Sequence, residues 1–363
     1  MFDHALKALR RASLHRERRL YSPTLADFAS NDYLALGSHK GLLQEAFDIL
    51  QNLPSHAPKA SMLVNGYYPL HQELENYLCD LLGFESCVLV GSAFLGNLAL
   101  IDALVRKNDH LLMDAHYHAS GQFLAKKLPN TLFFEHNNPQ DLEAKLKACK
   151  NKGQLFIAIE GVYSMDGEIA PLEILEIAEN YGAYLILDEA HSLGSIGEHL
   201  LGLLDHYSHK PSKKIILLGA FSKAYGSYGG FITGSIEVID FLCNRAKSIL
   251  YTTSPSLLDS ALSLVNLKHL YSNIKHYQEM LKQMRACLDR FNWHTQSNIL
   301  PLPFANPASL LETQNKLIKH GFLCAAIRPP TTKTPLLRLC LNIQPQRTLE
   351  LLENLCYLIK YSL

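Results

Sequence analysis

The sequence lacks an excess of charge of either sign, since 34 lysines and arginines balance 34 aspartates and glutamates over 363 residues. A balanced chain has no overall field to hold a polyanion, so we expect no dedicated nucleic-acid-binding protein. It also lacks any run of about 18 apolar residues, which a membrane-spanning helix would need. Residues 1–20 are basic and helical in pattern but contain no apolar core segment, so we expect no secretory signal.

Cysteine pairs at metal-binding or redox spacing are also missing. None of the eight cysteines forms a C-x-x-C pair, and a chain of this length needs no disulfide framework. We therefore expect free thiols in a reducing cytoplasm and no metal site. No G-x-G-x-x-G follows the first predicted strand, which argues against a nicotinamide-dependent dehydrogenase.

Short apolar runs alternate with longer helical patterns through most of the chain. Strands are predicted at 86–90, 110–113, 131–134, 155–159, 184–187, 215–218 and 231–233. Because these runs are apolar on both faces and helical patterns separate them, they predict an α/β fold with a mostly parallel sheet covered on both sides.

The pattern changes after Pro255, where helices are predicted to about residue 291. Strands at 299–302, 322–327 and 336–341 then alternate with helices near 309–320 and 346–360. This clustering predicts a smaller C-terminal α+β domain. We expect a large domain over 51–285, a small domain over 286–363, and an N-terminal helix and segment, 1–50, packed on the small domain.

Two strand ends carry an acid and a lysine. Ligands of open α/β sheets bind at the carboxyl ends of the strands, where Asp188 follows one apolar run and Lys223 follows the next. A poorly solvated acid stays ionised only beside a cation or strong donors, and a buried lysine can become a nucleophile. Taken singly, Asp188 could be a helix N-cap and Lys223 a solvated loop residue.

Three further strand ends add to this picture. Small residues at 91–97 lead into a helix, which is typical of a phosphate cradle or of a plain tight turn. The loop 160–168 is polar, and the segment 114–120 contains His118, which could cap a helix, sit in the core or lie flat over an aromatic ring. Together these groups predict a pyridoxal-phosphate site, in which the lysine holds the cofactor and the acid keeps its pyridine nitrogen protonated.

Several segments resemble a known family over nearly the whole chain. They read SNDYLAL at 30–36, NGY at 65–67 with His71, VYSMDG at 162–167, DEAH at 188–191 and AIRPPT at 326–331. In this order they resemble the α-oxoamine synthases, which are fold-type I pyridoxal-phosphate transferases. The AIRPPT segment is typical of the branch of that family that forms 8-amino-7-oxononanoate.

The resemblance implies an acyltransferase of biotin biosynthesis. Its reaction is the decarboxylative condensation of L-alanine with a pimeloyl thioester, carried by coenzyme A or by acyl carrier protein. It also implies a cytoplasmic homodimer with shared active sites. The alternatives are a family member that condenses glycine with acetyl-CoA, one with a long-chain acyl donor, and a non-catalytic partner subunit, which typically lacks the lysine.

The resemblance also implies a role for individual residues. Lys223 would hold the cofactor and take the α-proton, Asp188 would pair with the pyridine nitrogen, and His118 would stack on the ring and line the substrate pocket. The remaining cofactor contacts would come from His191, Ser164, Ser92, Ala93, Phe94, Ala220 and Ser222, with Thr252, Thr253 and Ser254 supplied by the partner subunit. The substrate contacts would come from Arg328 to the amino-acid carboxylate, Asn31 and Thr331 in the pocket, and Arg18, or else Arg16 or Arg19, to the distal acyl carboxylate.

The chain departs from the family pattern at several positions. Alanine stands where a glycine is expected at Ala35 and Ala93, and Leu336 stands where an arginine is expected. Two further departures bear on ligand binding. Ala220 stands three residues before Lys223, where the family usually has a threonine that binds the phosphate. Residues 55–61, SHAPKAS, replace a glycine-rich run at the substrate entrance. These two departures therefore concern phosphate and acyl binding rather than the lysine and its acid.

Overall fold

The computed structural model describes residues 2–12, 14–149, 153–344 and 346–361. Its contacts divide the chain into two units: a larger one, Leu34–Ser164 with Glu168–Tyr277, and a smaller one, Met1–Tyr33 with Met165–Gly167 and Gln278–Leu363. Residues 34–50 group with the larger unit, whereas the sequence placed them with the small domain.

The strands, numbered along the chain, confirm the fold class predicted from the apolar runs. They are β1 (Ala26–Phe28), β2 (Ser86–Val90), β3 (His110–Asp114), β4 (Thr131–Phe134), β5 (Leu155–Glu160), β6 (Tyr184–Asp188), β7 (Ile215–Ala220), β8 (Gly230–Gly234), β9 (Ile299–Pro303), β10 (Phe322–Ile327) and β11 (Leu336–Cys340). β1 was not predicted, because three residues are too few to show an alternating pattern.

The helices follow the predicted alternation in the larger unit. They are α1 (Phe2–Arg11), α2 (Lys40–Gln51), α3 (Pro69–Leu82), α4 (Ala93–Leu104), α5 (Ala119–Ala125), α6 (Pro139–Ala148), α7 (Leu172–Asn180), α8 (Leu203–His206), α9 (Ile236–Arg245), α10 (Lys247–Leu250), α11 (Leu257–Ser272), α12 (Ile274–Asp289), α13 (Pro307–Lys319) and α14 (Thr348–Tyr361). Among the described residues, none of these helices has both the length and the apolar content to cross a bilayer.

The N-terminal helical pattern extends over fewer residues than predicted. The basic stretch 1–20 forms a helix only over Phe2–Arg11, and none of the residues of α1 is buried. Residues 14–20 have no regular structure. A helix of this length is marginal by itself, and α1 has no buried face to extend it.

The larger unit is built on a seven-stranded sheet with the order β2-β8-β7-β6-β5-β3-β4. β8 runs antiparallel to β2 and β7, and the other neighbours are parallel, as between β5 and β6. Every residue of β7 is buried, as expected for a strand covered by helices on both faces.

The register of the sheet brings three strand ends level with one another. Glu160, the last residue of β5, pairs with Asp188, the last of β6, and Asp188 pairs in turn with Leu218 of β7. The loops that follow these strands therefore emerge side by side at one edge. This edge carries the acid and the lysine that the sequence singled out.

The smaller unit has its own four-stranded sheet with the order β1-β10-β11-β9. β11 is antiparallel to both β10 and β9, while β1 joins the edge in parallel with β10. The sheet, α13 and α14 give the α+β arrangement that the C-terminal pattern predicts.

Candidate active site

Asp188 is a buried acid with two donors. One carboxylate oxygen, Oδ2, accepts a hydrogen bond from the side-chain amide of Asn97 at 2.8 Å, and Oδ1 accepts the backbone N–H of Ala190 at 3.0 Å. No helix begins at Asp188 in the described chain, so the N-cap alternative does not hold. Two donors thus meet this carboxylate although only 4% of the residue is exposed.

Lys223 lies in the turn directly after β7, one strand away from Asp188. It is partly buried, and its Nζ lies 3.0 Å from Nε2 of His191. His191 follows β6 by three residues and is itself buried. The lysine is thus held against an imidazole at the edge of the sheet and is not a solvated loop residue.

His118, which lies in the loop after β3, belongs to the same cluster. Burial lowers the pKa of His118, and the charge of Lys223 lowers it further while Asp188 acts in the opposite direction. Both charges therefore act on this imidazole. His118 also caps α5, because its Nδ1 accepts the backbone N–H of Ser120 at 3.3 Å. The capping interpretation and the ring-stacking prediction are thus compatible.

The first turn of α4 lies where the sequence predicts an anion cradle. Ser92 caps this helix by accepting the N–H of Leu95 at 3.2 Å, which leaves its own O–H free to donate to another group. Gly230 on β8 packs against the same turn, where a Cβ would approach the backbone nitrogen of Ala93 to 2.8 Å. A glycine there keeps the N-terminal amides of α4 uncovered, and such amides bind phosphate.

The residues around this cradle explain how a phosphate can be held without the usual threonine. Ala220 is buried at the end of β7 and offers no side-chain donor, whereas Ser222 and Phe94 are exposed. The backbone amides and hydroxyls therefore remain as donors. A lysine amine, a buried acid, a neighbouring imidazole and this cradle together fit pyridoxal phosphate.

Glu189, which the sequence did not single out, organises the loops of the cluster. It is completely buried and accepts hydrogen bonds from the Ser192 hydroxyl and from the backbone N–H of Leu203. A Cβ at Gly161 or at Gly202 would collide with its carboxylate. Burial raises the pKa of Glu189 to about 7. The sequence did not single out Glu189 because it directly follows Asp188, and the DEAH segment was interpreted through Asp188 alone.

Two groups of predicted residues lie outside this hydrogen-bonded cluster. Ser164 is buried after β5, and Thr252 and Thr253 lie between α10 and α11, where Thr253 is exposed. The buried Ser254 donates its backbone N–H to the carbonyl of Ala60. The role of these threonines toward a partner subunit stays a prediction.

The smaller unit brings together several of the predicted substrate-binding residues. Arg16 donates from Nη2 to the hydroxyl of Thr331 at 2.9 Å and to the carbonyl of Arg328 at 3.5 Å. Asn31 accepts a hydrogen bond from the buried Arg338 at 3.0 Å. Arg18 is exposed. Of the candidates Arg16, Arg18 and Arg19, it is thus Arg16, not Arg18, that contacts the predicted substrate-binding residues.

Comparisons with known proteins show the family of this chain. The family model of class I and II aminotransferases matches residues 23–355. An 8-amino-7-oxononanoate synthase of Helicobacter pylori strain J99 is 52% identical over 348 residues, which cover 95% of this chain and 93% of the relative. The chain belongs to the 8-amino-7-oxononanoate synthase family. Another member, from Hydrogenovibrio crunogenus, is 32% identical over 355 residues, covering 93% of this chain and 87% of its own.

Solved structures support the fold of this 8-amino-7-oxononanoate synthase family member. A serine palmitoyltransferase from S. paucimobilis superposes with a TM-score of 0.86 at 22% identity, covering 100% of this chain and 98% of its own. An 8-amino-7-oxononanoate synthase from Francisella tularensis gives a TM-score of 0.74 at 20% identity, covering 92% and 97%. The predicted family, the fold-type I architecture and the transferase class are confirmed.

Proposed function

We propose that this chain is a pyridoxal-phosphate-dependent 8-amino-7-oxononanoate synthase. It joins L-alanine to the pimeloyl group of a thioester, and the products are 8-amino-7-oxononanoate, carbon dioxide and the free thiol, in the route to biotin. The observation that carries the proposal is the cluster of Asp188, Lys223 and His118 at one edge of the sheet, in a chain 52% identical to a named synthase.

Each residue of the cluster has a task that its position supports. Bound pyridoxal phosphate supplies an electron sink for the bond-breaking steps at the α-carbon. Lys223 holds the cofactor and moves the α-proton with its Nζ, which lies against His191. Asp188, which accepts hydrogen bonds from Asn97 and Ala190, stabilises positive charge on the ring nitrogen. His118 presents its imidazole to the ring face, and His191 with Ser164 contacts the phenolic oxygen.

The phosphate is held by the first turn of α4. The donors to the phosphate are the backbone amides beside Gly230, the hydroxyl of Ser92 and Ser222. The buried Ala220 has no side-chain donor to offer. Hydroxyls of Thr252 and Thr253 from the partner subunit complete the set. The segment beside them exposes 81% of Tyr251, which supports burial of this region in a homodimer.

The residues that bind the substrates lie in the smaller unit. Arg328 binds the carboxylate of alanine, and Thr331 and Asn31 line the pocket. Since Arg16 already contacts Thr331, we assign it, in preference to Arg18, to the distal carboxylate of the pimeloyl chain. An arginine suits this task because its planar guanidinium binds a carboxylate with two hydrogen bonds. The eight free cysteines support a reducing, cytoplasmic setting.

A panel of substrates tests the proposed function directly. The purified chain, loaded with pyridoxal phosphate, is assayed with alanine plus pimeloyl-CoA, alanine plus pimeloyl-acyl carrier protein, and glycine plus acetyl-CoA, and the products are identified by mass spectrometry. We expect 8-amino-7-oxononanoate from alanine and at least one pimeloyl donor. Turnover confined to glycine and acetyl-CoA would assign the chain to the alternative branch, and light scattering would show whether it is a dimer.

A further inference from the structure

Tyr117 is a buried tyrosine just before His118, and its phenol reaches the cofactor acid through one side chain. Its hydroxyl donates to Oδ1 of Asn97 at 2.6 Å, and the amide nitrogen of Asn97 donates to Asp188 at 2.8 Å. Tyr117 and Asn97 are each only 1% exposed. These side chains are therefore shielded from solvent, and their polar atoms need hydrogen-bond partners within the protein.

Each hydrogen bond of this network has one donor and one acceptor that are consistent with all the others. A phenol that donates to Oδ1 of Asn97 fixes the amide oxygen on its side, so the amide nitrogen faces Asp188. The second hydrogen of that nitrogen points to the Ser120 hydroxyl at 2.9 Å. Ser120 Oγ in turn lies 2.6 Å from Nδ1 of His118. Since Nδ1 also accepts the backbone N–H of Ser120, it carries no proton, and the serine donates to it.

One amide thus connects the acid and the imidazole. Asn97 donates to the carboxylate of Asp188 and, through Ser120, fixes which nitrogen of His118 carries the proton. If the amide turned over, its oxygen would face a carboxylate, which is a repulsive contact in a buried site. The phenol of Tyr117 is the group that holds the amide in the productive orientation.

The structure makes room for this phenol. A Cβ at Gly121, one turn along α5, would collide with the ring of Tyr117, so the glycine and the tyrosine fit each other. Burial raises the pKa of Tyr117 well above its ordinary value, and the charges of Asp188 and Glu160 raise it further. The phenol therefore holds its proton more tightly than an exposed tyrosine does, which favours its role as a donor.

We infer that Tyr117 is a positioning residue which, through Asn97, orients both Asp188 and His118 toward the pyridine ring of the cofactor. This inference rests on the proposed function, because it concerns the affinity for pyridoxal phosphate. Tyr117 touches neither substrate nor cofactor in this account. It acts by fixing the orientation of a neighbouring amide.

The test is the dissociation constant for pyridoxal phosphate, measured by titrating the apoprotein and following the visible absorption of the bound cofactor. Tyr117→Phe removes one oxygen and leaves the ring packed against Gly121. We expect the constant to rise about tenfold, the effect of roughly one buried hydrogen bond. The matched control is Tyr207→Phe, which removes a phenol that donates to the carbonyl of Ala170 at 2.9 Å, and its constant should stay at the wild-type value.

A double-mutant cycle separates positioning from packing. In an Asn97→Ala background, Tyr117→Phe should change the dissociation constant by less than twofold, because the amide it orients is gone. Ser120→Ala cuts the branch to His118 and should raise the constant of a normally folded protein, which keeps the inference testable if Tyr117→Phe fails to fold. Unfolding temperatures of the apoproteins are compared throughout.

The outcomes distinguish this inference from the proposed function. A wild-type chain that binds no pyridoxal phosphate overturns the proposed function itself. A wild-type chain that binds it, with unchanged constants in Tyr117→Phe and Ser120→Ala, overturns only the positioning role. A lowered unfolding temperature with an unchanged constant likewise assigns Tyr117 to packing alone.

Discussion

The amine of Lys223 lies 3.0 Å from Nε2 of His191. An ammonium can only donate, so a protonated Lys223 requires Nε2 to be an acceptor and the proton of the imidazole to sit on Nδ1. A neutral amine can instead accept from Nε2. The pair therefore tolerates both protonation states of the lysine, which suits a residue that must release and recover a proton during turnover.

Replacing Lys223 with alanine should abolish turnover and the covalent attachment of the cofactor, because it removes the amine that lies beside His191. The measurement is borohydride reduction followed by mass spectrometry, in which the wild-type protein gains the mass of the cofactor and the variant does not. Lys213→Ala is the control, since that side chain is 71% exposed and pairs with Glu85. Cofactor fixed to the variant at wild-type yield would contradict the assignment.

Replacing Asp188 with asparagine keeps the size of the side chain and removes its charge. We expect turnover to fall by two to four orders of magnitude, roughly 3–5 kcal/mol, the usual scale for losing one member of a buried charge pair. Steady-state kinetics at saturating cofactor measure the effect. Asp205→Asn serves as a control, because Asp205 accepts backbone hydrogen bonds in the loop at 199–201. Near-normal turnover of Asp188→Asn would separate this acid from the ring nitrogen.

The strand ends were the predictable part of the site. β2, β4 and β10 begin and end where the apolar runs predict. Reading the residues after each run was enough to single out Asp188, Lys223, Ser92 and His118 as candidates. The reason is physical, because carboxyl ends of parallel strands share one edge whatever the order of the strands.

The supporting residues could not be found in this way. Asn97 lies 91 positions from the acid it contacts, within an apolar helical run, and only the packing of α4 on the sheet brings the two together. The choice between Arg16 and Arg18 likewise depends on the path of an irregular segment. A polar residue among the apolar residues in the first half of α4 was the one available signal for Asn97.

The two arginines give a matched pair of variants. Arg16→Ala should raise the KM for the pimeloyl donor at least tenfold and leave the KM for alanine nearly unchanged, since it removes the guanidinium that contacts Thr331. Arg18→Ala, at an exposed position, should leave both constants nearly unchanged. Initial rates with each substrate varied in turn measure the effects. The reverse pattern would return the assignment to Arg18.

Glu189→Gln should change how the stability of the protein depends on pH. Burial raises the pKa of Glu189 from its ordinary value to about 7, so the folded protein holds this proton more tightly than the unfolded chain does. The stabilisation from this group is complete below the unfolded pKa and is lost as the pH rises through about 7. Glutamine cannot titrate and retains an acceptor for the N–H of Leu203.

Denaturant unfolding of wild type and Glu189→Gln, both as apoprotein between pH 4.5 and 9, measures this difference. The free energy of unfolding of wild type should fall relative to the variant as the pH rises, and the difference should level off above about pH 8. Glu312→Gln is the control, since that side chain is 68% exposed and should track wild type at every pH. A difference that stays constant, or that moves in favour of wild type with rising pH, would mean that Glu189 is already ionised in the fold. The buried carboxylate would then be held by its donors from Ser192 and Leu203 against the cost of desolvation.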